Sequence, residues 1–428
     1  MSLRSRLLSL LDSSMFASAY ALTAIGTLFC SHLLTRLIGD AGFGAMVAGL
    51  CALGVAMLIV RRREIRIVQV IPTTLLVFLG WLLVTVFWAR EPLESLAGWV
   101  AIAAPTVIAL VVAHTRDTLQ IVRSTGDVLR VLLVTSLVVE ILSGMLIDMP
   151  IRFLGIAGNL AEGGPIQGVF GTRTRLGLVT MIALISFLVE WRTRSVTPRV
   201  AGFSLVLAGM MAVFTASPIV FLMALIAATA TGILAAIRRL PAARRRAAQW
   251  SLAAVLGIGA LSAYVFRQAI IDRLNAEPDF LARSRLRNAA LNMVEFRPVQ
   301  GWGWYGEWPS GTVPFSVIRA ITGRDHASAL NALLDILLQA GWVGLVLFGA
   351  FALVALSRAW LTATERRSTV YTWPALILIV LLFDSVIESA VLHDFGWFLL
   401  VVCATKASLV RGWRSEAHLD RPPAPALH

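Results

Sequence analysis

"RDHASALNALLDILLQAGWVG", residues 324–344, is the stretch whose reading decides the fold. From Ala329 onward the chain stays apolar to about residue 357, long enough to enter a bilayer as a helix. Yet Arg324, Asp325 and His326 stand at its mouth, and Asn331, Asp335 and Gln339 recur every four residues along it. That spacing places three polar side chains on one helical face. A charge in hydrocarbon is expensive and turns toward a protein interior or a water-filled cavity. The stretch therefore predicts a membrane helix packed inside a bundle, its polar face toward other helices.

Similar apolar runs recur along the 428-residue chain, which is 58% hydrophobic and 14% charged, with a mean hydropathy of +0.81. The charges gather between the runs, the pattern of a polytopic membrane protein. About twelve runs approach spanning length, at roughly 15–35, 41–60, 68–88, 96–114, 129–148, 176–191, 200–216, 218–237, 250–266, 329–357, 371–387 and 393–410. The expected fold is all-α, with about 12 transmembrane helices and one large extracytoplasmic loop. Residues 1–266 form an N-terminal transmembrane bundle of about nine helices, and 267–328 the large loop with short helices. Residues 329–410 are the C-terminal transmembrane helices, and 411–428 a polar, proline-rich tail, disordered on the cytoplasmic side. "MSLRSRLLSL" lacks a clear small-residue cleavage site and reads as the lead-in to an uncleaved first span.

Basic residues orient the chain. Arg4 and Arg6, Arg61 to Arg63 and Arg66, Arg116, Arg123 and Arg130, Arg192, Arg194 and Arg199, Arg238 to Arg246, Arg358, Arg366 and Arg367, and Lys406, Arg411 and Arg414 fall on one side of such an arrangement. The positive-inside rule makes that side cytoplasmic, with both termini there. Cys30, Cys51 and Cys403 lie far apart inside apolar runs and read as small core hydrophobes, without disulfide or metal spacing. The partners implied are a lipid bilayer and no nucleic acid.

Topology alone does not explain the arginines expected outside. In "RSRLRN", Arg283 and Arg287 are four residues apart on one helical face, while Arg285 points elsewhere. Guanidinium forks bind phosphate oxygens bidentately, so this face suits a diphosphate; lipid headgroups at a solvated helix are the alternative. In "VFGTRTRLGLVTM", Arg173 and Arg175 open a helix where Gly171 and Thr172 expose backbone amides, an anion-binding position, with interfacial snorkelling as the alternative. "RPVQGWGWYGEWP" supplies Trp302, Trp304, Tyr305 and Trp308, rings able to stack on sugars or to form an interfacial belt. "LFDSVIESAVLHDFGW" spaces Asp384 and Glu388 one turn apart and adds His393 and Asp394; these acids pair with arginines or serve proton transfer. Glu140 is a lone carboxylate within the fifth run.

The order of these motifs resembles the O-antigen ligase and polymerase superfamily, bacterial membrane enzymes that handle lipid-linked polysaccharide. Such proteins show an arginine, a tryptophan four residues later and a helix ending in PxxGxG; here Arg283 begins the pattern and "RPVQGWGW" closes it. They continue with HNxxLxxLxxxGxxG, and "LNALLDILLQAGWVG" matches at Asn331, Leu334, Gly341 and Gly344. Two positions depart: Arg287 stands where the family has tryptophan, and Leu330 where it has the histidine thought to act as general base. The resemblance implies glycosyl transfer outside the cytoplasmic membrane, without metal or cofactor, from a polyprenyl diphosphate-linked glycan to a hydroxyl of a glycan or glycolipid acceptor. It assigns Arg283, Arg287, Arg173 and Arg175 to the diphosphate, and Asn331, Trp302, Trp304 and Glu388 to the substrate cavity. His326, one helical step before Leu330, is the candidate base, with Asp335 or a carboxylate of the eleventh run as competitors. A lipid-linked sugar transporter or flippase, and a catalytically degenerate glycan-binding relative, are the alternative functions. The sequence leaves open ligase against polymerase, and the donor sugar, acceptor and linkage.

Overall fold

The apolar runs fold into helices throughout. A computed structural model of the protein describes Ser9 and residues 11–61, 71–265 and 278–410. The expectations for Arg4 and Arg6, for Arg62, Arg63 and Arg66, for the first part of the large loop, 267–277, and for the tail 411–428 lie outside the described residues. In chain order the main helices are α1 (Ser14–Phe29), α2 (Ser31–Val60), α3 (Thr73–Val84), α4 (Pro92–Thr115), α5 (Thr118–Ile141), α6 (Arg173–Thr193) and α7 (Pro198–Phe214). They continue with α8 (Pro218–Arg239), α9 (Ala242–Val265), α10 (Pro278–Phe296), α11 (Phe315–Thr322), α12 (Ala332–Glu365), α13 (Thr372–Asp384) and α14 (Asp394–Val410).

Local chemistry sets several of these starts. Asp117 and Gln120 form a reciprocal capping box at α5, and the prolines at the first positions of α7 and α8 lack the N–H that a helix start leaves unpaired. Asn331 caps α12, its side-chain oxygen accepting from the Leu334 amide at 3.0 Å.

Among the described residues, six helical segments are long and apolar enough to cross a membrane: Ser31–Val60, Pro92–Thr115, Thr118–Ile147, Arg173–Thr193, Pro218–Arg239 and Ala332–Glu365. Shorter apolar helices occupy Ser14–Phe29, Thr73–Trp88, Pro198–Phe214 and Thr369–Asp384. The spanning window of α6 is 72% buried, against 22% for α2, so α6 sits at the centre of the bundle and α2 at its outer edge. Helix α13 packs against α6, and the apolar bodies of α13 and α14 are also buried. Polar tips join the helices: Trp373 donates to Ser186 at 2.9 Å and Trp397 to Thr106 at 2.7 Å.

The basic loops meet at one end of this bundle. Arg61 donates to the Asp12 carbonyl, Arg116 to that of Ser14, Lys406 to that of Arg116, and Arg238 to that of Arg366. At the other end α10, α11 and the turns between them form a small second core, in which Leu286, Ala290, Tyr305, Trp308, Phe315 and Ile318 pack against Leu334, Leu337 and Leu338 of α12.

Helix α12 is broken at Gly341, whose φ of +69° and ψ of −171° are not helical. The break strips hydrogen bonds from both halves of the helix, and the segment "PVQGWG" fills it. Trp302 and Gly303 donate to the freed carbonyls of Leu338 and Gln339 at 3.1 and 2.9 Å, and the Trp342 amide donates to Pro298 at 2.8 Å. Trp81 takes the Ala340 carbonyl at 2.9 Å. A Cβ on Gly341 would lie 2.1 Å from the Val299 carbonyl oxygen, and one on Gly301 2.4 Å from that of Gln339. Both glycines are needed for two backbones to come this close.

Gly341→Ala therefore meets an unfavourable backbone conformation and a carbonyl that cannot retreat; we expect a loss of roughly 3 kcal/mol or more. Gly349→Ala, further along the same helix with nothing within 4 Å of its Cβ position, should leave stability unchanged or slightly raised. Thermal unfolding of the detergent-solubilised variants compares the two.

Candidate active site

Opposite the basic end lies a cavity of about 390 Å³ lined by the start of α6, the end of α13 and the turns before α12 and α14. Thr172, Thr174 and Arg175 come from the first element, Asp384, Glu388, Ser389 and His393 from the α13–α14 connection, and Glu307, Ser328 and Leu330 from the segment that packs on α12.

Each wall is held by a buried polar group. Glu140, buried in α5, accepts from the amides of Gln167 and Gly168, both at 2.8 Å, and Ser136 accepts from Val169 at 3.2 Å. These bonds seat the loop before α6, so that Thr172 caps the helix by accepting from the Arg175 amide at 3.2 Å and the Arg175 side chain lines the cavity. On the opposite wall Asp335, 1% exposed, accepts from the Trp308 indole at 2.7 Å, the Ala329 amide at 3.0 Å and the Ser389 hydroxyl. Asn331 donates to the Val386 carbonyl at 2.7 Å and the Ala332 amide to that of Ser385 at 2.9 Å. Gln339 accepts from Tyr305 and Gly306 at 2.7 and 3.0 Å. The polar stripe of α12 is thus a clamp. It fixes the 301–308 turn on one side and the α13–α14 connection on the other.

The residues expected from sequence divide accordingly. Arg175, Arg283 and Glu388 come together: Arg175 and Glu388 line the cavity, and Arg283 donates to the Glu388 carboxylate at 3.0 Å and to the Ile387 carbonyl at 2.9 Å. Arg173 and Arg287 are exposed outside the lining. Asn331 and Asp335 sit behind the wall as anchors. Trp304 is buried, its amide donating to Thr85 and its indole to the Gly98 carbonyl, so no sugar ring can stack on it. Trp302 donates to the Met293 carbonyl at 2.9 Å, and its ring carries the Arg297 guanidinium 4.7 Å from its centroid. His326 contacts Thr322 of α11 at 3.2 Å and is not among the lining residues.

Sequence reasoning left Glu307 and Ser389 out of the site, noted His393 without giving it a role there, and offered Asp384 only among the competitors for the base. "LFDSVIESAVLHDFGW" carried the signal as a dense polar cluster inside an apolar region. Leu330 does line the cavity, in a left-handed conformation (φ +53°) that a branched aliphatic residue seldom adopts.

The two walls differ in charge. Arg175 forms no ion pair among the described residues. On the other wall burial raises the Glu388 carboxyl above its ordinary range, while the Arg283 guanidinium and Arg175 pull it back. Burial, and secondarily Arg324, lowers the His326 imidazole below its usual value, against a smaller upward pull from Asp325. One wall therefore suits an anion, and the other, rich in acceptors, suits hydroxyl groups.

An all-helical membrane bundle with a polar cavity at the end away from its basic loops is the class of protein that these features define. Residues 203–349 match the family model of O-antigen ligase, which supports the superfamily that the motifs resembled. No curated protein matches the chain. The matched stretch contains Glu307, Ser328 and Leu330 of the cavity; Arg175, Glu388 and His393 lie outside it.

If Asp335 anchors the wall, Asp335→Ala strands three donors in a buried place and should cost roughly 3 kcal/mol or more. A purely chemical role predicts the reverse for Asp335→Asn, an unchanged melting temperature with turnover abolished. Melting temperature and turnover measured on both variants separate the two roles.

Proposed function

We propose that this protein transfers or polymerises a glycan outside the cytoplasmic membrane, from a polyprenyl diphosphate-linked donor to an acceptor hydroxyl. The carrying observation is the cavity itself, which sets an unpaired arginine opposite a wall of carboxylates and an imidazole. The family match to O-antigen ligase supports the reading. The convergence of basic loops at the other end supports an outward-facing site, with both termini cytoplasmic and about twelve spans.

In this reading Arg175, with Thr172 and Thr174, holds the donor diphosphate, and Arg283 reaches it from the rim by exchanging Glu388 for phosphate oxygens. The acceptor oxygen attacks the anomeric carbon, and the bond from that carbon to the diphosphate breaks. The leaving diphosphate keeps the electron pair, its charge balanced by the guanidinium groups. The acceptor's proton goes to a base. His326 lies off the lining and the oxygens of Asp335 are occupied, so the role passes to His393. Its ring lines the cavity and makes no hydrogen bond among the described residues, whereas Glu388 is engaged by Arg283. Glu307 and Glu388 orient acceptor hydroxyls. Leu330 favours a second reading, a relative that binds lipid-linked glycan without turning it over.

Purified protein incubated with a synthetic polyprenyl diphosphate oligosaccharide should release lipid diphosphate and lengthen or transfer the glycan. We expect Arg175→Ala and His393→Gln each to lose about 10²- to 10⁴-fold in turnover, and His326→Ala to retain it. The double variant His393→Gln/Leu330→His should regain part of the loss, because residue 330 faces the same cavity in a conformation that histidine adopts more readily. Full activity in His393→Gln would refute the assignment of the base. Binding of the donor by wild type without release of lipid diphosphate would establish the second reading.

A further inference from the structure

A second cavity, open and about 690 Å³ in volume, lies toward the basic end between α5 and the turn from α6 to α7. Its walls carry Arg123, Asp127 and Arg130 from α5, and Trp191, Arg194 and Val200 from the turn and its flanks. Nothing in the proposed transfer reaction uses it.

Arg130 already has its partners. It donates to Glu190 at 2.6 Å and to Asp127 at 2.5 Å, its guanidinium 5.2 Å from the centre of the Phe187 ring. Gly126 makes room for this floor, because a Cβ there would come within 2.5 Å of a Glu190 oxygen. Both nearby acids are thereby engaged by one arginine. Arg123 and Arg194 form no ion pair among the described residues and are exposed. Arg194 also closes α6 with φ +52°, a left-handed cap where glycine is the usual residue. The chain thus keeps a long cationic side chain at a position where backbone geometry favours none.

Trp191, half exposed beside it with the Arg192 guanidinium 5.8 Å from its ring centre, marks the depth at which an apolar helix leaves hydrocarbon for headgroups. Val196 and Val200 add apolar lining. Two uncommitted guanidinium groups, an interfacial indole and aliphatic walls match a phosphate carried by a lipid better than a phosphate free in water.

We propose that this cavity binds the phosphate headgroup of an anionic phospholipid in the leaflet at the basic end, held by Arg123 and Arg194 over the neutralised Arg130 floor. The site is independent of the glycan reaction.

Native mass spectrometry of the full-length protein in detergent, titrated with phosphatidylglycerol, phosphatidylethanolamine or inorganic phosphate, tests it. Wild type should retain phosphatidylglycerol in preference to phosphatidylethanolamine, and millimolar inorganic phosphate should not displace it. The variant Arg123→Gln/Arg194→Gly should weaken that retention by roughly 30-fold, about five-fold for each arginine. Its glycine suits the left-handed cap, so folding is preserved. Arg285→Gln, at the far end, controls for loss of charge and should change nothing. Equal retention of the two lipids, equal retention by wild type and the double variant, or displacement by inorganic phosphate would each overturn the proposal.

Discussion

The break in α12 at Gly341 is the constraint on which the outer half of the molecule depends. A helix interrupted inside a membrane protein must re-pair the backbone groups it frees, because neither lipid nor a packed core will hydrate them. Here the "PVQGWG" segment does so, approaching across Gly301 and Gly341. That pairing fixes the 301–308 turn, hence Glu307 and Trp308. Through the Trp308 indole and Ser389, it reaches Asp335 and the α13–α14 connection. Two motifs far apart in composition are in physical terms one joint.

The polar face of α12 has its explanation in the same joint. Asp335 and Gln339 are buried, and Asn331 half-buried, because each saturates the backbone or side chains of a turn that carries cavity residues. Glu140 performs the matching service for the loop before α6. Polar groups in a bundle interior are retained where they satisfy irregular backbone, and irregular backbone is what brings Arg175, Glu307 and His393 around one space.

That space is assembled from three distant parts of the chain, and the matched family region supplies only one of them. The arginine of α6 and the acids and imidazole before α14 come from outside it. In the proposed reaction this separates the anion-holding wall from the hydroxyl-facing wall. Leu330 and His393, the proposed proton acceptor, both border the cavity.

The sequence by itself determined that this is a helical membrane protein. Apolar length and the clustering of arginines are local quantities, and a helix reads its burial from residues three and four apart. It also determined that the stripe on α12 faces protein. Only the tertiary structure decided which polar groups are anchors and which face open space. Asp335 and Trp304 look as chemical as His393 in the sequence, but the partners that occupy them lie tens or hundreds of residues away, as with Trp304 and Thr85. His326 meets Thr322, four residues earlier at the end of α11, and lies off the cavity lining. No spacing rule along one helix contains that information, since it arises from how separate helices meet.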